Sequence, residues 1–141
     1  MNSALQFNMS PYAPFMQETK VTLGNGIELH VEMGGNPEHP TILLIMGLGA
    51  QMLFWPDFFC KSLIDQGFRV IRFDNRDIGL SSKIREKRKR LNTMKLMSRF
   101  IIGLGNEGAP YTLYDMADDV SMLIDQLGLE KTYLIGASMG G

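Results

Sequence analysis

The sequence predicts an α/β fold, with an N-terminal β-hairpin followed by mostly parallel strands and flanking helices. Three observations predict it. Two short strand-like runs flank Gly24-Asn25-Gly26, a tight-turn signal. Thr41 to Met46 is apolar at every position after the first, which suits a strand buried on both faces of a parallel sheet. Segments with helical spacing and cap residues alternate with the strand candidates, in the order hairpin, strand, helix, strand, helix, strand.

The 141 residues suffice for one modest domain. A content of 45% hydrophobic and 21% charged residues marks a folding chain rather than a disordered one. The net charge of −1 gives no overall reason to expect nucleic acid or an anionic membrane as partner. Cys60 is the lone cysteine, so no internal disulfide can form. The N-terminus lacks the basic start and apolar run of a signal peptide. The most apolar stretch, Thr41 to Trp55, is too short for a membrane span and is interrupted by Gln51 and two glycines. No transmembrane segment and a cytoplasmic location are expected. The 11 methionines read as adaptable core filling.

Residues 1–19, with Pro11 and Pro14, read as an irregular lead-in, and residues 20–141 as the domain. Lys20 to Leu23 and Ile27 to Met33 are the hairpin strands, and Gly34-Gly35-Asn36-Pro37 ends the second. After the Thr41–Met46 strand, Trp55 to Gln66 is a helix candidate. Pro56 suits its first turn, Asp57 its positive end, and Gly67 closes it. Arg69 to Phe73 is the next strand, ending at Asp74. Thr112 and Asp115 form a capping-box pattern. Leu113, Met116, Ala117, Val120, Leu123, Ile124 and Leu127 then recur at helical spacing up to Gly128. Thr132 to Ile135 is the final strand. Residues 82–109 fit this alternation poorly. They join a basic run, KIREKRKR from Lys83 to Arg90, to an apolar stretch and a glycine-rich loop. Two readings stand for them: a solvated helix and loop, or a basic amphipathic element touching anionic lipid or a partner.

The last strand delivers the chain to Gly136-Ala137-Ser138-Met139-Gly140, a G-x-S-x-G pattern. A serine hydroxyl is a weak nucleophile unless it is exposed, close to a base and beside oxyanion donors. A sharp strand-to-helix turn supplies the exposure and aims the next backbone N–H at the reacting oxygen. That N–H belongs to Met139. A second donor is expected from the loop after the Thr41–Met46 strand, at the Leu48 N–H.

Four blocks in this order, LLIMGLGAQMLFW, RFDNRDIGLSS, YTLYDMADDVSMLIDQLGL and LIGASMGG, resemble the α/β-hydrolase superfamily from about Val21 to Gly141. They look most like its esterase, methylesterase and cofactor-free haloperoxidase-like branch. The resemblance implies Ser138 as nucleophile, with Leu48 and Met139 lending their N–H groups to the oxyanion hole. It implies a structural role for Asp74, Arg76, Gly79 and Ser81, which match Asp-x-Arg-x-x-Gly-x-Ser. Met46 stands where many members have histidine. The serine implies acyl transfer on a small-molecule acyl substrate, without cofactor or metal. Relatives that hydrolyse haloalkanes or epoxides carry aspartate there instead.

The family order places the triad acid and histidine after the serine, so both are expected beyond residue 141. His30 sits in the hairpin, and His39 at the wrong end of its strand. The chain therefore reads as the N-terminal portion of a larger hydrolase, an incomplete domain that is nearly inert alone. Its exposed sheet edge invites self-association. Two rival readings exist. A dinucleotide-binding turn at Gly47-Leu48-Gly49 lacks the third glycine, replaced by Met52, and its helix starts too late to cradle a pyrophosphate. A non-catalytic hydrolase-like binding protein would account for an elbow without a triad.

Overall fold

The computed structural model describes residues 5–84 and 110–141. Six strands form one mixed sheet: β1 (Asn8–Met9), β2 (Gln17–Thr22), β3 (Glu28–Gly34), β4 (Thr41–Ile45), β5 (Arg69–Phe73) and β6 (Thr132–Gly136). Helix α1 (Asp57–Asp65) joins β4 to β5, and helix α2 (Leu113–Gln126) precedes β6. The strand order is β1-β2-β3-β5-β4-β6. The first three strands and the β3–β5 pair are antiparallel; β5, β4 and β6 run parallel.

The hairpin forms where the glycines place it. Gly26, at φ +81°, lets the Leu23 and Ile27 backbones bond across the turn. The segment before Lys20 is more ordered than expected. It contributes β1, which pairs Asn8 with Glu18, and the first half of β2. The expected start of α1 at Trp55 is two residues early. A residue before proline is pushed out of the helical region, and Trp55 is extended at φ −73°, ψ 112°. Pro56 is consequently the N-cap, and a 3₁₀ turn over Met52–Phe54 fills the space ahead of it. Helix α2 begins as its sequence dictates. The Thr112 hydroxyl accepts the Asp115 N–H, and the Asp115 carboxylate accepts the Thr112 N–H.

Period-two alternation sends each strand's side chains to both faces. Ile42, Leu44 and Val70 pack with Cys60 of α1 on one face. Leu43, Ile71, Phe73 and Val31 pack with Val120 and Leu123 of α2 on the other. The Arg72–Glu32 cross-strand pair lies on the α1 face, with no exposed side-chain surface on either member. β6 is the outer strand beside β4, and its Tyr133 and Leu134 are exposed. The basic run from residue 85 onward, with the rest of the expected connecting segment to 109, falls outside the described residues. Among those described, no helix is long and apolar enough to cross a membrane.

Candidate active site

Ser138 follows β6 directly, at the C-terminal end of the parallel strands. Its backbone lies at φ +55°, a left-handed conformation that side chains other than glycine's rarely adopt. The flanking glycines explain how the turn closes. A Cβ on Gly136 would collide with the Gly140 carbonyl, and one on Gly140 would collide with the Ile45 carbonyl of β4. The turn continues as a 3₁₀ segment, Ser138–Gly140, and leaves Ser138 exposed.

The loop after β4 comes against this turn. A Cβ built on Gly47 would sit 3.0 Å from the Ser138 Cβ and 3.5 Å from its Oγ. Leu48 and Met139 line one small cavity of about 40 Å³, together with Gly47, Gly49, Asn75 and Tyr111. Among the described residues, neither the Leu48 N–H nor the Met139 N–H donates to a protein acceptor. Gly47 thus lies against the Ser138 turn, and Leu48 and Met139 share a cavity with Gly47.

The residues after β5 support this corner. Asp74 accepts the Met52 N–H at 2.8 Å and the Leu80 N–H at 3.1 Å, while the Ser81 hydroxyl donates to the Asp74 carbonyl at 2.6 Å. Gly79 leaves the room this carboxylate occupies. Arg76 grips Asp119 of α2 with two bonds of 2.6 Å and lies 5.0 Å over the Tyr111 ring. Asn25 of the hairpin turn donates to the same Asp119 at 2.9 Å. The Asp-x-Arg-x-x-Gly-x-Ser residues therefore lock loop, hairpin and helix together. Asn75, at an unspecified position of that motif, was missed by sequence reasoning. Its Nδ2 donates to the Met46 carbonyl at 2.9 Å, and the only signal for it is an amide side chain at a strand end beside a glycine loop.

Neither histidine can serve Ser138. His30 is on β3, three ladder steps from β6, or roughly 14 Å at about 4.8 Å per step. It is 3% exposed and lies between Glu18 (3.1 Å) and Asp74 (3.6 Å). His39 is in the loop entering β4, at the opposite end of the sheet.

The Asp74 carboxylate holds the His30 imidazole above its ordinary pKa, with Glu18 adding to it against the cost of burial. Burial opposes the Asp74 charge, but His30 and the amides of Met52 and Leu80 outweigh it, and the Asp74 pKa is lowered. A raised histidine pKa stabilises the fold fully below the unfolded value of about 6.5 and stops doing so as pH rises through the higher folded value. The melting temperature of the parent, relative to His30→Gln, is therefore expected to fall as pH is raised from about 6 through this range. Thermal unfolding at stepped pH checks it, and a pH-independent difference would refute the assignment.

Strand order and the left-handed serine turn at the end of β6 define an α/β protein with its candidate site at the C-terminal end of the parallel strands. The chain belongs to the α/β hydrolase fold family, whose pattern matches residues 40–141. It is 31% identical over 124 residues to the candidate carbamate hydrolase RutD of Caulobacter vibrioides, covering 86% of this chain and 37% of that protein. It is 27% identical over 122 residues to the rhodomycin D methylesterase DnrP of Streptomyces peucetius, covering 86% of this chain and 34% of that protein. Among solved structures, the enol-lactonase of Burkholderia xenovorans LB400 superposes with a TM-score of 0.62 at 26% identity, over 86% of this chain and 37% of the lactonase. The chain thus spans little more than a third of the length of these proteins.

Proposed function

We propose that the protein is a serine hydrolase acting on carboxylic esters or related acyl compounds through an acyl-enzyme at Ser138. The observation that carries this reading is the exposed Ser138 at φ +55°, set against Gly47 of a loop whose Leu48 shares a small cavity with Met139. Relatives named for carbamate, methyl-ester and enol-lactone substrates support it, since each of those bonds joins an acyl carbon to a heteroatom.

In this reading the Ser138 Oγ attacks the acyl carbon while its proton passes to a histidine outside residues 1–141. The carbonyl π electrons move onto oxygen, where the Leu48 and Met139 N–H groups stabilise the charge. Collapse expels the protonated leaving group and leaves an ester on Ser138, and water then releases the acid by the same steps. His30 and His39 take no part, and residues 1–141 alone turn over esters at close to the background rate.

A fluorophosphonate probe tests the reading. The catalytically competent protein is expected to give one stoichiometric adduct, mapped to Ser138 by peptide mass spectrometry. A folded, competent-length protein that stays unlabelled would support the non-catalytic binding reading instead.

A further inference from the structure

We propose that Asn75 is a positioning residue for the oxyanion hole, acting through the Met46 carbonyl; this role rests on the hydrolase reading above. The loop from Gly47 to Gln51 has little structure of its own. Its one internal backbone bond is the long Ala50 to Gly47 contact of 3.4 Å, and Leu48 is 47% exposed. Its two ends are held from outside by consecutive residues of the neighbouring strand end. The Asn75 Nδ2 donates to the Met46 carbonyl at 2.9 Å, just before the loop. The Asp74 Oδ1 accepts the Met52 N–H at 2.8 Å, just after it.

Both bonds are buried, and Asp74 and Asn75 are 3% and 5% exposed. Hydrogen bonds in such surroundings hold their geometry well because water does not compete for them. Asp74 and Asn75 are adjacent, and one dipeptide thus reaches both ends of the loop. The parallel β4–β5 register brings the two strand ends level: Leu44 pairs with Arg72, two residues before Met46 and Asp74.

The Asn75 bond is the one nearer the chemistry. The Met46 carbonyl and the Leu48 N–H are separated by one residue, Gly47, which resists rotation less than any other. Pinning the carbonyl limits how the Gly47–Leu48 peptide can turn. Asn75 also lines the cavity that Leu48 and Met139 share. A rotated peptide would swing the donor away from the developing charge while the acyl group remained free to bind.

The test uses the competent protein, p-nitrophenyl acetate and a phenylboronic acid whose tetrahedral adduct mimics the charged intermediate. Asn75→Leu and Asn75→Asp keep the approximate size and remove the donor. Each is expected to lower kcat about 10- to 100-fold, below the 10²–10³ seen for outright loss of a donor. KM is expected within twofold of the parent, and boronate affinity falls by the same factor as kcat. Should Asn75→Leu fail to fold, Asn75→Asp, with the same outline, carries the test. A merely structural role would lower melting temperature without separating kcat from KM. Folded variants with parental kcat and boronate affinity would overturn the role while the hydrolase reading stands. A parent that fluorophosphonate does not label would sink both together.

Discussion

Ser138→Ala is expected to lower ester turnover by the competent protein by about a million-fold, as loss of the nucleophile does in a comparable serine enzyme. That factor corresponds to ~8 kcal/mol of barrier. The size follows from what the turn provides. Ser138 is exposed at the end of β6, in a left-handed backbone conformation. Alanine meets the same left-handed strain, so the melting temperature should stay near the parent's. The Leu48 and Met139 N–H groups belong to the backbone and survive the substitution. Substrate affinity should therefore change little. Steady-state kinetics with p-nitrophenyl acetate, run beside a melting curve, check the separation. Activity above about one per cent of the parent's would place the nucleophile elsewhere, since a genuine loss of this kind is far larger.

The largest effect on stability is expected at Glu32. Its carboxylate accepts the Arg72 Nε at 2.7 Å and lies 2.7 Å from Arg72 Nη2, while the Ser10 hydroxyl donates to its other oxygen at 2.6 Å. Glu32 and Arg72 are wholly buried. Glu32→Ala strands the guanidinium in the interior, with the Trp55 carbonyl at 2.8 Å and the half-exposed Asp57 at 3.1 Å as partial relief. Removing one member of a buried ion pair costs about 3–5 kcal/mol. Replacing both members can be nearly neutral, so Glu32→Leu with Arg72→Met should recover most of the loss. Urea unfolding of the two variants and the parent measures it. A loss below ~1 kcal/mol for the single substitution would mean that Asp57 and the Trp55 carbonyl suffice for Arg72.

How much was legible depended on how local the signal was. The strand at Thr41, the capping box at Thr112 and the turn at Gly26 are each specified within a few residues, and each appears where expected. The start of α1 was misjudged by two residues because Pro56 suits either side of a helix boundary. The order of the 3₁₀ turn and the cap decides between them. β1 was missed because Asn8-Met9 carries no strand pattern and is defined by its partner in β2. The buried charges were less legible still. Glu32 and Arg72 sit 40 residues apart, and only the β3–β5 register makes them neighbours. At the site, Ser138 announced itself through its flanking glycines. Asn75 did not, because its partner is a backbone carbonyl, invisible in side-chain spelling.

The parallel ladder between β4 and β6 pairs Ile45 with Gly136, one step before both strands turn into the site. Slipping β6 by a single residue would carry the hydroxyl about 3.3 Å along the strand and point it toward the opposite face. The position of Ser138 relative to the loop after β4 is thus gauged by main-chain bonds two to three residues away. The side chains around this mouth can then change without resetting the ruler.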